Sequence, residues 1–489
     1  MEGALPYRHY SWLYGPLMPY YYGIFLFFGG VSIQSVLVGQ ALLVLFTGLF
    51  IYWTCAVFLP PAAAYICALW YWSFRGAEFF YTYDHIGGLL AMLATLYCLF
   101  KYIDRRQLAH VWAGFISIFL LMLIRLNMGA AILITFAFSL WLTDFVNKDP
   151  RAPKNKRLCV TLSLVTITAT SLIYWFLLHP LPDYALLQSF PYGKFQRTDS
   201  TATPLGSLVL LWNIIASYFT ATPAQMILGV LLILSLIQSG LIIRSEKTPQ
   251  ESRKKLTLAL IALFLFILAA AHEFIACGTH FRIFWILPFI FVMGFFIIMT
   301  ATKNISSSFI KIIILTTLIF PALWNAVGTH LLIKAFKNPA HLLSVGKNKI
   351  YTTQDPAWLK TVTDASNFIK DHVLPADKVL VLPFDSLYLF LSGRESITRQ
   401  LVFFEHINIA EEQEQKIIAD MENGNGNWVV ISSRAVSTEG GMGTFGKTYC
   451  LVLAKYIAEH FTVVAEYGDL ITPGGWGWHH GARILKRNE

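Results

Sequence analysis

From Val36 to Leu332 the chain is a succession of apolar runs about as long as a bilayer core of about 30 Å requires, separated by short polar breaks. Ten such runs are read, over 36–58, 60–74, 84–102, 109–125, 127–146, 158–178, 224–243, 256–277, 281–299 and 309–332. They predict a polytopic bundle of membrane helices. Three of the breaks are basic: Lys101, Arg105 and Arg106; Lys148, Arg151, Lys154, Lys156 and Arg157; Arg244, Lys247, Arg253, Lys254 and Lys255. The positive-inside rule places all three on the cytoplasmic side. Alternation then leaves the opening loop 1–35, the loop 75–83, the turn 125–127, the loop 179–223, the turn 278–280 and everything after Leu332 outside. For this count to close, 207–219 must lie in the interface without crossing, and 17–30 reads as a second interfacial helix.

Beyond Lys334 the pattern changes. Residues 355–373 place Trp358, Leu359, Val362, Ala365, Phe368 and Ile369 on one helical face. KVLVLP over 378–383 reads as a buried strand. A polar helix over 410–421, a strand over 428–432, a helix over 445–460 and a strand over 461–467 follow. This alternation predicts a small external α/β domain, residues 335–489, appended to a membrane domain, residues 1–334. No internal repeat or low-complexity tract interrupts either part.

Composition agrees. Of the 489 residues, 56% are hydrophobic and 13% charged, against about 25% charged in a soluble domain. The net charge of +9 does not indicate nucleic acid, because residues 335–489 carry slightly more acids than bases. The positive excess is a topology signal in the membrane domain. Six cysteines form no CxxC pair, and five fall in apolar runs, so they read as small buried hydrophobes.

The opening, with YRHYSWLYGPLMPYYYG at its centre, resembles the first external loop of the GT-C glycosyltransferases. It is most similar to the branch holding the dolichyl-phosphate-mannose-dependent protein O-mannosyltransferases and the lipid A aminoarabinose transferases. Gly15-Pro16-Leu17, an aromatic helix from Tyr20, and Gly30-Val31-Ser32 carry the likeness. LFLSGRESITRQLVFFEHINI and GTFGKTYC resemble segments of the external domain of bacterial members. The resemblance implies a GT-C-like bundle and transfer of a sugar from a polyprenyl-phosphate donor to a lipid, glycan or protein acceptor. It implies a bacterial inner membrane, with the C-terminal domain periplasmic or extracellular. It also implies that the family's catalytic acidic residue stands just ahead of the segment matched by residues 1–3. Met1 is therefore expected to be internal to a longer protein, with one more span upstream.

Charged residues at a membrane edge are functional candidates. Transfer from a phosphate carrier needs cations for the leaving group and a base or metal for the acceptor. Arg8 and His9 in the opening loop are candidates for donor or acceptor contact. Arg75, Glu78, Tyr83, Asp84 and His85 form a denser group, with capping of a helix as the plain alternative for Asp84. Arg125 and Asn127 occupy a turn too short to be a solvated loop, where a guanidinium suits phosphate or merely snorkels to the interface. Arg197, with Lys194, lies in the long outer loop, where headgroup attraction is the plain alternative. Glu273, His280 and Arg282, with His272, flank the 278–280 turn and suit substrate contact. Arg394 and Arg399 match the family segment SGRESITR and either reach the acceptor or dock the external domain on the membrane domain, docking being the favoured reading. No cofactor is required by these residues. A divalent metal stays open, since Asp84 and His85 lack a third ligand. The competing readings are a lipid-linked sugar transporter or flippase, and a non-catalytic membrane sensor. A transporter predicts repeats and broken helices at the midplane, whereas the charges here gather at one edge.

Overall fold

The computed structural model describes residues 5–12, 14–74, 83–148, 150–179, 181, 250–277, 286–302, 316, 318–320, 322–323, 338–352, 354–383, 385–403, 410–424, 426–433, 443–471 and 480–488. In the membrane domain the described elements are α1 (Leu17–Gly29), α2 (Ile33–Ala56), α3 (Pro61–Phe74), α4 (Tyr83–Arg105), α5 (Leu108–Ile124), α6 (Leu126–Val146), α7 (Ala152–Leu178), α8 (Gln250–Cys277) and α9 (Leu287–Thr302). Helices Ile33–Ala56, His85–Arg105, Leu126–Val146, Pro153–Leu178 and Gln250–Ala271 are long and apolar enough to cross a membrane. Leu17–Gly29, Leu108–Ile124 and Pro288–Met299 are shorter apolar helices.

Most of the expected spans coincide with these helices, but their ends do not. α7 and α8 each begin six residues before the run read for them, because Lys154–Arg157 and Arg253–Lys255 continue the helix in polar residues. Pro153 fits the first turn of α7, where its missing N–H costs nothing. At 14 residues, α3 is only about 21 Å long, short of the bilayer core. The runs read over 224–243 and 309–332, and the interfacial helix over 207–219, lie outside the described residues or almost wholly so. The interfacial helix read over 17–30 is α1.

α2 buries Ser35, Gly39, Leu43, Thr47, Gly48, Ile51, Thr54 and Cys55, three and four residues apart. Small and hydroxyl side chains let helices approach closely. Thr47 satisfies its own hydroxyl on the Leu43 carbonyl at 2.7 Å. One apolar core then joins α2 to α9, with Trp70, Phe100, Phe136, Phe266 and Phe296 fully enclosed. The chain reverses between α5 and α6 at a single residue. Arg125 is extended (φ −146°, ψ 104°), donates its N–H to Leu121 at 2.7 Å and accepts from Gly129 at 2.9 Å. Asn127 therefore belongs to the first turn of α6, not to a turn as expected.

Antiparallel alternation sorts the polar groups to two ends. At one end Lys255 Nζ meets Asp104 at 3.2 Å and Arg106 meets Asp144 at 3.1 Å. Asp144 also accepts from Tyr102 at 2.7 Å and Asn155 at 3.0 Å. The described members of the three basic clusters lie at this end. The other end carries the opening loop and the C-terminal domain.

That domain holds a hairpin, β1 (Leu342–Val345) with β2 (Asn348–Tyr351), and a four-stranded sheet. The sheet order is β3 (Val379–Leu382), β4 (Trp428–Ser432), β6 (Ala482–Arg487), β5 (Phe461–Tyr467), with β3 and β4 parallel and the other pairs antiparallel. Its helices are α10 (Pro356–His372), α11 (Leu387–Ser392), α12 (Glu411–Asn423) and α13 (Leu451–His460). The two faces of the sheet carry separate cores, one on α10 and α11, one on α12 and α13. Asp355 caps α10 by accepting from Trp358 N at 2.9 Å, and Pro356 opens it. The helix expected from residue 445 begins at Leu451: residues 445–449 form a turn closed by a Phe445–Tyr449 bridge, followed by Cys450 at φ 55°.

Candidate functional site

The opening loop is folded down onto the end of the bundle. Tyr7 is fully buried with φ 67°, and its hydroxyl donates to the Tyr14 carbonyl. It packs with Leu123, Tyr174 and Leu177 of α5 and α7. Gly15 N donates to Ile124 O at 2.8 Å, so the loop lies directly on the end of α5. Gly87, in the first turns of α4, faces Met18 of α1, and Ile86 packs with Met18 and Ile124. These contacts bring the loop, α1, the start of α4 and the α5–α6 junction to one place.

Tyr14 is the centre of that place. The Arg125 guanidinium stands 5.0 Å over its ring, and the His85 ring meets it edge-on at 6.0 Å. Arg125 is 8% exposed and His85 2% exposed. Arginine keeps its charge at any accessible pH. A cation held among aromatic rings and away from water attracts an anion far more strongly than one in solvent. Arg8 stands nearby, 4.8 Å over Phe176, and donates to the Phe176 carbonyl near the end of α7. His9 is exposed, and its Nδ1 accepts from Leu5 N at 2.6 Å. Burial, with a smaller push from Tyr20, raises the Tyr10 hydroxyl to about 12, so it stays neutral.

Beside these residues runs an apolar groove of about 360 Å³ between α1, α5 and α7. Leu17, Tyr20, Leu123, Ile173 and Phe176 are among its walls. Phe176 thus both seats Arg8 and lines the groove, so a cation stands at the edge of an apolar channel.

The remaining candidates are placed as follows. Tyr83 and Asp84 lie in the first turn of α4 and Glu273 in the last turns of α8, each by backbone only. Arg75, Glu78, Lys194, Arg197, His280 and Arg282 lie outside the described residues. Among the described residues no group of three His, Cys, Asp or Glu side chains is placed to hold a metal ion. Arg399 docks the C-terminal domain on the opening loop: Nε donates to the Arg8 carbonyl at 3.1 Å and Nη2 to the Tyr7 carbonyl. Ser11 N donates to Arg399 O at 2.9 Å, and Leu401 N to Ser11 Oγ at 3.1 Å. Arg394 does not dock the domain. It turns inward and caps α10, donating to the carbonyls of Lys370 at 2.8 Å and Val373 at 2.7 Å. A second seam, not expected, joins Ile33 N to Asn348 Oδ1 at 2.9 Å and Gln34 to the Lys347 and Lys349 carbonyls. Tyr14 was not singled out by the sequence; one tyrosine among many in an aromatic loop carries no mark of its position.

In fold, the chain is similar to the oligosaccharyltransferase of Archaeoglobus fulgidus, crystallised with zinc and sulfate, at a TM-score of 0.49 and 15% identity. The match covers 88% of this chain and 60% of that one, so the chain spans about three fifths of the archaeal protein's length. It is also similar to ArnT from Cupriavidus metallidurans in the apo state, at a TM-score of 0.49 and 12% identity, covering 96% of this chain and 87% of that one. Likeness of this degree transfers no residue role. No family model and no curated protein matches the chain.

Proposed function

We propose that this chain belongs to an integral-membrane glycosyltransferase that moves a sugar from a polyprenyl-phosphate donor to a lipid, glycan or protein acceptor. The reaction takes place at the membrane face that carries the C-terminal domain, in a bacterial inner membrane the periplasmic face. The observation that carries this reading is the buried Arg125–Tyr14–His85 group set beside an apolar groove whose wall seats Arg8. A lipid phosphate needs an apolar channel for its chain and fixed cations for its head. The resemblance of the opening loop and of the 389–409 segment to GT-C enzymes points the same way.

In this scheme the polyprenyl tail lies along Leu17, Leu123 and Phe176, and the phosphate turns toward Arg125 and Arg8. The bond from the sugar's anomeric carbon to the phosphate oxygen breaks as the acceptor attacks. Negative charge grows on the departing phosphate, and cations already in place stabilise it without reorganisation. The tyrosines of the loop exclude water and orient the sugar. His85, and Asp84 just before it at the start of α4, are the groups assigned to handling the acceptor's proton.

The test is sugar transfer from a radiolabelled polyprenyl-phosphate sugar by membranes containing the protein in its full genomic length. Arg125→Ala should lower transfer by about 100-fold or more at unchanged expression. Undiminished transfer by that variant would remove Arg125 from the site.

A further inference from the structure

A second cavity lies at the opposite end of the bundle from the site above. It is a cleft of about 580 Å³ between the start of α5, the second half of α6 and the start of α7. Its size falls in the range of small-ligand sites. Val111, Leu158 and the aromatic residues Phe138, Trp141 and Phe145 make it apolar. These three aromatics form a ladder on α6: Phe138 and Trp141 are 5.5 Å apart, and Trp141 and Phe145 stack at 5.5 Å and 19°. The ladder faces away from the helical core, with Phe145 67% exposed. Such a stripe fits lipid chains near an interface, where tryptophan is favoured.

The mouth of the cleft is basic. Lys156 borders it, and Lys148, Arg151, Lys154 and Arg157 stand exposed on the same stretch. The one acid in the wall, Asp144, is already engaged by Tyr102, Arg106 and Asn155. An anion arriving at Lys156 therefore meets cations and a carboxylate whose charge is matched. Basic pockets between membrane helices on the cytoplasmic side suit anionic headgroups.

We infer that this cleft binds one anionic glycerophospholipid from the leaflet at the basic end, its acyl chain along the Phe138–Trp141–Phe145 ladder and its phosphate at Lys156. A zwitterionic lipid brings a cation into the same basic stretch and is disfavoured. The inference is independent of sugar transfer, since it concerns the other end of the molecule.

The experiment is native mass spectrometry of the purified full chain titrated with phosphatidylglycerol, or with phosphatidylcholine of identical acyl chains, alongside melting curves. One phosphatidylglycerol per chain should bind several-fold more tightly than phosphatidylcholine and raise the unfolding temperature. Lys156→Ala should weaken phosphatidylglycerol binding by about fivefold, the contribution expected of one cation at a membrane surface. Trp141→Ala, at a side chain exposed enough to be replaced without disturbing the core, should weaken it as well. Lys416→Ala, on the distant external domain, should leave it unchanged. Equal binding of the two lipids, wild-type binding by both Lys156→Ala and Trp141→Ala, or equal protection by inorganic phosphate alone would each overturn the inference.

Discussion

A Cβ built on Gly15 would stand 2.1 Å from the Leu123 carbonyl oxygen, which is backbone and has nowhere to go. The glycine is what allows the opening loop to lie on the end of α5 and set Tyr14 beneath Arg125. Gly15→Ala should lift the loop and destabilise the protein by about 1–3 kcal/mol, read as a lower unfolding temperature together with weaker donor binding. In the C-terminal domain, Glu414 is almost wholly enclosed and accepts from Leu453 N at 2.7 Å. Burial raises its carboxyl above the usual 4.5, outweighing the backbone N–H groups of Leu453 and Val452 that lower it. A raised carboxyl favours folding at low pH, and that contribution is lost as pH climbs from 4.5 through the raised value. Glu414→Gln keeps an acceptor oxygen but does not ionise. Its unfolding temperature should therefore gain on that of the wild type as pH rises from 4.5 through the raised value; a constant difference would contradict the assignment. Residue roles were the least legible part of the sequence. Arg394 and Arg399 lie five residues apart in one segment, yet one caps α10 and the other clasps the opening loop. Only the tertiary path of the chain separates them.

At the scale of elements, the clasp is the informative feature. Arg399, Ser11 and Leu401 tie a loop near the start of the chain to a strap nearly 400 residues away. The C-terminal domain is thereby part of the frame that holds the candidate site. Arg399→Ala removes two donors from a charged group, each worth about 1.5–3 kcal/mol. Trypsin cleavage after Arg8 should then accelerate by about tenfold or more, because local opening governs access. Cleavage at the wild-type rate would mean that the loop is held by other contacts. Elements with a strong apolar period were legible in advance: α10 through Trp358, Leu359, Val362, Ala365 and Ile369, and β3 through its all-apolar run. The hairpin of β1 and β2 was not, because NKIY is half polar and gains its place from docking on α2. β6 was not, because Arg483, Lys486 and Arg487 mask its short apolar centre.

For the whole molecule, the sorting of charge between two ends organises the rest. Described basic residues gather at one end around the Asp104 and Asp144 pairs, and the opening loop, Arg125 and the C-terminal domain meet at the other. Basic breaks and helix alternation made this polarity readable from sequence, because each crossing reverses direction whatever its exact ends. The gathering of Tyr14, His85 and Arg125 was not readable, since those residues are far apart in the chain and meet only by packing. The central claim is that this gathering, with its groove, holds a polyprenyl phosphate. Its most direct measurement is the affinity of the purified chain for unsugared polyprenyl phosphate, which requires binding and no catalysis. The chain should bind it, and Arg125→Ala should bind at least about tenfold more weakly at unchanged melting temperature. Absence of binding, or equal affinity in the wild type and Arg125→Ala, would contradict the account.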